Sequence, residues 1–371
     1  MLGLDLPPAN PLKGSHSPIS AIMSKREDFF KEPVKPIEVK DGRSISALLD
    51  AMSDTSFQGR KLGEAFRAWD AMLRDKDTTV MLGLTGSLST AGMWKIMGYM
   101  IDRGYIDLML STGANISEDI YNGLGFVYGK GTPWVDDQVL LEQKIDRYYD
   151  EWADEYKYRE MEELLADFIQ GLDRKYIYST AEFLHLLGRR LDEQGIDSMV
   201  TRAYRSSMPI FSPAMVDSSY GIAAVYAARG KGRVVVDQFK DFEQMTEVVE
   251  KCDETAVVYI GGGVPKDTIQ LTAVMKALLL ERKTKKEVVK PHKYAIQITS
   301  DSPQWGGLSG ATFEEAISWG KTSPNGNNAI CYCDATIALP LIAHALNERG
   351  IKRKRQDLSF LFKGIGKFMK K

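Results

Sequence analysis

The sequence predicts an α/β fold in which helices flank a doubly wound, mainly parallel sheet. Short, continuous apolar runs recur along the chain, several of them rich in β-branched residues, which is typical of strands buried on both faces. Amphipathic helical patterns separate these runs, and strands that alternate with helices form parallel sheets through right-handed crossovers. Most runs also end in Gly, Ser, Asp or Asn, as expected where a strand gives way to a turn.

Strands are predicted from the apolar runs, and the helices between them from apolar spacing. The strands fall at 79–86, 106–115, 209–215, 232–238, 255–263, 294–301 and 329–335. Between 59 and 75, apolar side chains from Leu62 to Leu73 follow the spacing of one helix face. Ser179 lies three residues before Glu182, a capping-box pattern that begins another helix. The acidic stretch 148–172 predicts a long helical insert.

The two ends of the chain differ in composition from its middle. Residues 1–35 begin with a stretch rich in Pro, Gly and Ser, which predicts a flexible arm. Residues 36–350 are interpreted as a single α/β domain. Residues 351–371 carry eight Lys or Arg against one Asp, and we expect a solvated basic tail there. Contact with an acidic surface or non-specific binding of RNA are alternatives for this tail.

Composition argues against several classes of protein. A net charge of −2 argues against a protein built wholly for binding nucleic acid. The three cysteines cannot form a disulfide framework, which favours a reducing setting. No apolar run approaches the roughly 20 residues that a membrane-spanning helix needs, and the first residues lack the pattern of a secretory signal. The sequence therefore predicts a cytoplasmic protein without a membrane or specific nucleic-acid partner.

Small residues follow three of the predicted strands, at the end where such sheets bind ligands. The loops are LTGSLSTAGM (84–93), STGANISED (111–119) and GGGVPKD (261–267), and Asp334 follows the last strand. Backbone N–H groups in such loops can approach a phosphate, and a helix N-terminus favours negative charge. The pattern suggests a Rossmann-like dinucleotide site, although it contains no GxGxxG fingerprint. For each loop taken alone, a tight strand-to-helix turn is the alternative.

The stretch EEAISWGK places a lysine directly after a short predicted helix. Thr312 lies three residues before Glu315, so a capping box can begin this helix, and Gly320 suits the left-handed residue that ends one. Lys321 follows at once. An amine in an apolar or cationic setting becomes nucleophilic near neutral pH, and Trp319 could supply an apolar wall. A cation–π contact with Trp319 would instead favour the charged amine, so an ordinary surface lysine stays an alternative.

Several segments together resemble one enzyme family. They are FQGRKLGEA, TGSLSTAG, STGANISED, FSPAMVDSSYG, GGGVPK, GGLSGATFEEAISWGK and CDATIALPL, in this order within about residues 40–350. The most specific piece is EEAISWGK. On these segments the chain resembles the deoxyhypusine synthase family, including its homospermidine synthase and synthase-like branches.

The resemblance implies a transferase of alkyl groups that uses NAD to dehydrogenate spermidine. The lysine matched by Lys321 captures the 4-aminobutyl group as an imine and releases 1,3-diaminopropane. In deoxyhypusine synthases the acceptor is a lysine of a translation initiation factor, and in homospermidine synthases it is putrescine. Family members form homotetramers with active sites shared across a dimer interface. A non-catalytic relative that binds polyamine and NAD is the remaining alternative.

The resemblance also implies which residues bind the cofactor and the polyamine, with no metal site. NAD contacts carry over to Gly86, Ser87, Ser89, Thr90, Thr112, Gly113, Ala114, Glu118, Asp217, Asp334 and Ala335. Substrate contacts are expected at Glu118, Asp267, Glu315 and Trp319. From the residues alone, Asp217 and Asp334 could instead cap helices, and Glu118 could favour a helix N-terminus through the dipole.

Four positions depart from the well-characterised deoxyhypusine synthases. Ser117, Ile222 and Leu308 stand where those enzymes have carboxylates, and Asp267 stands where they have a histidine. A buried ammonium without a partner is costly, so the polyamine must be held differently or a different amine is bound. We expect Asp267 to be the substitute anchor for a terminal ammonium. Small diamine acceptors become about as plausible as a protein lysine.

Overall fold

The computed structural model describes residues 26–369, and a six-stranded parallel sheet forms its centre. In this part of the chain the strands are β1 (Thr78–Leu84), β2 (Leu108–Thr112), β3 (Gly129–Lys130), β4 (Ile145–Tyr148), β5 (Glu151–Asp154), β6 (Ile177–Tyr178), β7 (Ile210–Ala214), β8 (Val235–Val236), β9 (Glu254–Ile260), β10 (His292–Thr299) and β11 (Thr322–Tyr332). The large sheet has the order β11-β10-β9-β1-β2-β7, and every neighbouring pair is parallel. The predicted α/β fold is confirmed.

The chain winds outwards from the middle of this sheet in both directions. β1 lies between β2, which leads on to β7, and β9, which leads on to β10 and β11. Every residue of β1 is buried, and so is β9 after its first residue, which explains why these strands appear as continuous apolar runs. The winding reverses between β1 and β9. Open α/β sheets bind ligands at such a point, beyond the carboxyl ends of the strands.

Helices flank the sheet, and their apolar faces build the core. They are α1 (Ile45–Ser53), α2 (Phe57–Arg74), α3 (Trp94–Asp102), α4 (Asn115–Gly123), α5 (Asp137–Gln143), α6 (Glu155–Gln170), α7 (Thr180–Glu193), α8 (Met199–Arg205), α9 (Ser219–Ala228), α10 (Gln238–Lys251), α11 (Gly263–Thr284), α12 (Phe313–Ser318) and α13 (Ala335–Glu348). α2 buries Leu62, Trp69 and Leu73, on the face that apolar spacing predicts. The capping box predicted for Ser179 and Glu182 is confirmed, and it begins α7.

Two predicted elements differ from the structure. The helical insert predicted at 148–172 is wrong over its first part, because 145–154 form the β4–β5 hairpin, which joins β3 in a small antiparallel sheet. α6 begins only after Asp154, whose carboxylate accepts from the N–H groups of Tyr156 and Lys157. The strand predicted at 232–238 shrinks to β8, which pairs with β6 outside the main sheet. Asp237 caps α10 and so ends this strand.

The segment 351–369 packs on the domain despite its basic composition. The apolar side chains Ile351, Leu358, Leu361 and Phe362 are buried. Arg353 forms an ion pair with Asp107 at 2.5 Å, and the two side chains are 4% and 0% exposed. The expectation of a solvated tail is therefore wrong for these residues, and 370–371 lie outside the described part of the chain.

The predicted N-terminal arm lies mostly outside the described residues, which begin at Arg26. A short 3₁₀ helix covers Arg26–Phe30, and Lys35 forms an ion pair with Asp54 at 2.9 Å. The division of the chain at residues 35 and 350 stays a prediction. Within residues 26–369, no helix combines the length and the apolar character needed to cross a bilayer.

Candidate active site

A cleft of about 490 Å³ opens where the sheet reverses its winding. Its lining comes from the turns after β1 and β9 and from the segments after β10 and β11: Thr85, Gly86, Leu88, Ile260, Gly261, Gly262, Ile298, Thr299, Ser300, Asp301, Ser309, Cys333, Asp334 and Ala335. Three residues predicted to contact NAD, Gly86, Asp334 and Ala335, thus meet at one cleft although they are far apart in the sequence.

Asn115 joins the first two predicted cofactor loops, and sequence reasoning missed it. The side chain is fully buried; its amide nitrogen donates to the carbonyl of Gly86 at 2.8 Å, and its oxygen accepts from the N–H of Leu88 at 2.8 Å. The Thr112 hydroxyl donates to the same Gly86 carbonyl at 2.9 Å. The Ser89 hydroxyl donates to the backbone carbonyl of Asn115 at 2.7 Å. These bonds fix the shape of the turn after β1.

Glu118 is a buried carboxylate at the same end of the sheet, in the first turn of α4. It is 4% exposed, and the Ser87 hydroxyl donates to its Oε1 at 2.6 Å. Its Oε2 has no hydrogen-bond partner among the described residues. Burial raises the pKa of Glu118 to about 7, and the charge of Glu151 adds to this rise, while the Ser87 bond opposes it. A half-satisfied buried carboxylate with a raised pKa is typical of a ligand-binding position.

The other candidates in these two turns have identifiable structural contacts. The Thr90 hydroxyl oxygen lies 3.0 Å from the carbonyl oxygen of Ser87. Ala114 is the N-cap residue of α4. Gly113 packs so tightly that a Cβ there would lie 2.4 Å from the Ser218 hydroxyl oxygen, so this position requires glycine for packing alone.

The two candidate aspartates have different surroundings. Asp334 caps α13 by accepting from the N–H of Thr336 at 2.7 Å, and it also lines the cleft. Asp217 is exposed before α9, and the cap of that helix is Ser218, which accepts from the N–H of Tyr220. The structure therefore brings Asp334 to the cleft and leaves Asp217 outside the residues that line it.

Lys321 lies just beyond α12, where the chain enters β11. Thr312 begins α12 by accepting from the N–H of Glu315, and Gly320 ends it with a φ of 68°, a left-handed conformation that glycine adopts without strain. The Lys321 side chain is 12% exposed, and its Nζ donates to Asp267 Oδ1 at 2.9 Å. A largely buried, paired ammonium of this kind differs from an ordinary surface lysine.

Trp319 and Glu315 border this lysine at the surface. The indole is 65% exposed, and Lys321 Nζ lies 5.4 Å from the centroid of its ring, within cation–π range. Glu315 is exposed in the first turn of α12, and its charge acts on the nearby Lys266. Both side chains are accessible to a ligand that reaches Lys321.

Lys266 is a second amine of this cluster, which sequence reasoning also missed. It is 1% exposed, and its Nζ donates to Gln297 Oε1 at 2.9 Å and to the carbonyl of Ala311 at 2.5 Å. Burial lowers the pKa of Lys266 to about 8. Gln297 donates in turn to the carbonyls of Gly261 and Ser309 at 2.8 and 2.7 Å. Lys266 and Gln297 together hold the loop before α12 against the turn after β9. A glutamine inside the apolar run of β10 was the sequence signal that could have indicated this contact.

At the three positions where related enzymes have a carboxylate, the side chain here is either hydrogen-bonded within the protein or apolar. Ser117 is buried, and its hydroxyl donates to the carbonyl of Ala114 at 3.1 Å. Ile222 and Leu308 are 45% and 46% exposed. Asp267, the expected substitute, faces Lys321.

Comparison with known proteins decides the family. The family model described as deoxyhypusine synthase matches residues 47–346, a range that contains the cleft and Lys321. This chain belongs to the deoxyhypusine synthase family. The resemblance seen in the sequence segments is thereby confirmed, and the family implies a transferase.

Named relatives in the deoxyhypusine synthase family align over most of the chain. "Probable deoxyhypusine synthase 2" of Methanosarcina acetivorans is 46% identical over 338 residues, which are 91% of this chain and 96% of the relative. The protein of the same name from Archaeoglobus fulgidus is 46% identical and covers 83% of this chain and 99% of its own length. "Deoxyhypusine synthase-like protein" of Chlorobaculum tepidum is 36% identical, with coverage of 86% and 90%.

A crystal structure from Entamoeba histolytica that bears the deoxyhypusine synthase name has the same fold. The two chains superpose with a TM-score of 0.59 at 17% identity, over 88% of this chain and 99% of the other. At this identity the match supports the fold alone.

Proposed function

We propose that this protein is an NAD-dependent transferase that moves the 4-aminobutyl group of spermidine to an acceptor amine. The observation that carries the proposal is the largely buried amine of Lys321, which is hydrogen-bonded to Asp267. Asp267 lies in the first turns of α11, directly after the Gly261 and Gly262 of the cleft. Membership of the deoxyhypusine synthase family supports the same reaction class.

The cleft suits a dinucleotide such as NAD. A Cβ added at Gly86 would meet nothing within 4 Å, so the backbone of this turn borders open space that a phosphate group can approach. We expect Gly86, Ser87, Asp334 and Ala335 to hold the cofactor, together with Glu118. When bound, NAD supplies the removal of a hydride from the substrate amine and its later return.

Lys321 is proposed to hold the transferred chain as an imine, which divides one hard substitution into two easier steps. Its unprotonated nitrogen attacks the oxidised carbon of the donor, and 1,3-diaminopropane leaves as the carbon–nitrogen bond to it breaks. As a neutral imine the Lys321 nitrogen carries no hydrogen, so Asp267 is then free to accept from a substrate ammonium. We expect Trp319 to cover the methylene groups of the chain.

The acceptor in this proposal is a lysine of the hypusine-carrying translation initiation factor, and a small amine such as putrescine is the second candidate. The second candidate rests on the serine and the two apolar residues at positions 117, 222 and 308, because a pocket without these three carboxylates must hold its amines differently or bind a different amine. A non-catalytic relative that binds polyamine and NAD is a third possibility, and the retained Lys321 argues against it.

We also propose a cytoplasmic homotetramer with active sites at a dimer interface. α9 exposes Ile222, Val225 and Tyr226 by 45%, 56% and 51%, and contiguous apolar surface of this kind is typical of protein interfaces. The cysteines Cys252, Cys331 and Cys333 are all free, as expected in a reducing compartment.

The test of the proposal is chemical trapping at Lys321. Incubation with spermidine and NAD, followed by borohydride, should add an aminobutyl mass to the peptide that contains Lys321. Lys321→Arg keeps the charge but cannot form the imine, so the adduct and turnover should both be lost. The matched control is Lys293→Arg, because Lys293 is also ion-paired, to Asp75 at 2.7 Å, and lies outside the cluster. Normal turnover by Lys321→Arg would disprove the role of this lysine.

A further inference from the structure

The β4–β5 hairpin brings a second carboxylate to the wall that holds Glu118. Glu151 is the first residue of β5, the middle strand of the small sheet, and it pairs with Lys130 on β3 and Tyr148 on β4. Burial raises the pKa of Glu151, and the neighbouring hydroxyl of Thr90, in the turn after β1, opposes this rise. The hairpin therefore lies beside the turn that forms one side of the cleft.

Glu151 and Glu118 each keep one buried oxygen without a hydrogen-bond partner. These atoms are Glu151 Oε1 and Glu118 Oε2, and no described residue donates to either. The two carboxylates lie beside the same turn, the one after β1. In this turn the Thr90 hydroxyl oxygen lies 3.0 Å from the carbonyl oxygen of Ser87, and the Ser87 hydroxyl donates to Glu118 at 2.6 Å. Leaving two acceptors buried and unpaired is costly unless a ligand supplies the donors.

The pair also lacks a positive partner in the part of the chain that the structure describes. Of the ion pairs formed by residues 26–369, none includes Glu118 or Glu151. Burial raises the pKa of both carboxyl groups, and the charge of Glu151 raises that of Glu118 further. A cation placed beside two such carboxylates would offset both their burial and their mutual repulsion.

A network of tyrosine hydroxyl groups borders this pair. The Tyr128 hydroxyl donates to the backbone carbonyl of Glu118 at 3.1 Å, and it lies 3.0 Å from the hydroxyl of Tyr158. The Tyr158 hydroxyl also lies 3.0 Å from that of Tyr148, the strand partner of Glu151. An alkyl ammonium matches this setting, because it combines an apolar chain with several hydrogen-bond donors.

We propose that Glu151 and Glu118 together bind an ammonium group of the substrate, the one that Asp267 does not hold. The ligand class is an alkyl amine with at least two positive charges. Ser117 offers no negative charge at the position where related enzymes have a carboxylate, and its hydroxyl donates to the carbonyl of Ala114. The inference rests on the proposed function and deepens it, since Glu151 becomes a specificity-determining residue for the polyamine.

The experiment measures spermidine binding to the full chain by titration calorimetry in the presence of NAD. Glu151→Gln keeps the size of the side chain and removes its charge, and it should weaken spermidine binding about tenfold or more. NAD affinity should stay unchanged, and the borohydride adduct on Lys321 should return at saturating spermidine. The matched control is Asp150→Asn, which removes one charge from the adjacent, exposed residue and should bind spermidine like the wild type.

Two results would overturn the site. One is a Glu151→Gln variant that binds spermidine as tightly as the wild type. The other is an equal loss of affinity in Asp150→Asn, because the effect would then come from general charge and not from contact. Both outcomes are independent of catalysis. If the wild type binds spermidine but forms no adduct on Lys321, the proposed transferase function fails, while the binding comparison still decides whether Glu151 holds an ammonium.

Discussion

The bond between Lys321 and Asp267 keeps each residue from its proposed role until a substrate arrives. As an ammonium, Lys321 is not a nucleophile, and Asp267 cannot hold a second cation well while it accepts from Lys321 at 2.9 Å. A substrate ammonium that takes the place of the lysine on Asp267 releases Lys321 Nζ from this hydrogen bond. Donor binding and release of the nucleophile from Asp267 are then coupled.

Asp267→Asn tests this coupling. It should weaken spermidine binding roughly ten- to a hundredfold, because a charge-assisted hydrogen bond in a desolvated site contributes on the order of 1.5–3 kcal/mol. The measurement is calorimetric titration with NAD present. Glu314→Gln is the control, since it removes an exposed carboxylate of α12 and should leave the affinity unchanged. Wild-type affinity in Asp267→Asn would show that Asp267 is not the anchor.

The buried carboxyl group of Asp241 predicts how the stability of the protein depends on pH. Burial raises the pKa of Asp241 to about 7, and its carboxylate accepts from the N–H and the hydroxyl of Thr180 at 2.7 and 2.8 Å. The pKa of an aspartate in the unfolded chain is about 3.9. Between about pH 4 and pH 7 the native protein therefore holds a proton that the unfolded chain releases. Its contribution to the free energy of unfolding therefore falls as the pH rises through this window.

Asp241→Asn lacks this titration, so the free energy of unfolding of the variant should rise relative to that of the wild type between about pH 4 and pH 7. Urea unfolding of both proteins at several pH values measures this change in the free energy of unfolding. Glu243→Gln, an exposed acid on the same helix, is the control and should follow the wild type. A difference between wild type and Asp241→Asn that stays constant with pH would contradict the raised pKa.

Single residues of the candidate site could be predicted only where a motif marks them. Lys321 is the last residue of the recognisable EEAISWGK segment, and Gly86 and Asp334 stand at the ends of predicted strands. Lys266 lies in the GGGVPK segment but was not recognised as a site residue, and Glu151 carries no local pattern, because the surroundings of both come from distant segments. Lys266 bonds to Gln297, 31 residues away, and Glu151 interacts with Thr90. Such contacts depend on packing that a single sequence does not display.

At the scale of elements, buried strands and capped helices were predictable because their signals are local. β1 and β9 appear as continuous apolar runs since both faces are covered. The β4–β5 hairpin was mistaken for helix, because its stretch of aromatic and acidic residues fits both the helical period of about 3.6 residues and the strand period of about 2. In addition, its partner strand β3 has only two residues. Short strands have too few residues to show alternation.

The capping box of α7 provides a test at this scale. Ser179→Ala removes the hydroxyl oxygen that accepts from the N–H of Glu182 and should lower the free energy of unfolding by about 1 kcal/mol, within a range of roughly 0.5–2 kcal/mol. Chemical denaturation measures the change. The control is Ser56→Ala, at the N-cap of α2, where the serine side chain forms no capping bond. Equal losses in both variants would show that capping is not the cause.

For the whole molecule, the pair of Arg353 and Asp107 ties the C-terminal segment to the central sheet. Arg353 also donates to the carbonyls of Gly104 and Thr78, both at 2.7 Å, and Asp107 accepts from the N–H of Val80 at 2.7 Å. The segment was mistaken for a solvated tail because its Lys and Arg count is high. The partners that bury Arg353 and Arg355 lie about 250 residues earlier in the chain, so no local sequence pattern predicts these contacts.

Arg353→Met should lower the free energy of unfolding by about 3–5 kcal/mol, because it leaves the carboxylate of Asp107 buried without its cation. Urea denaturation measures the loss. Lys354→Met, at the adjacent exposed residue, is the control and should change stability by less than about 0.5 kcal/mol. Comparable stability of the two variants would show that the ion pair does not hold the segment.

The same ion pair joins an early and a late part of the chain as it leaves the ribosome. Asp107 directly precedes β2, and its cation is supplied 246 residues later. A nascent chain that ends between these two positions contains β1 and β2 without this cation, so burial of the Asp107 carboxylate costs more there than in the finished chain. β11 ends at Tyr332, so all six strands of the main sheet have been synthesised before Arg353 supplies the missing charge.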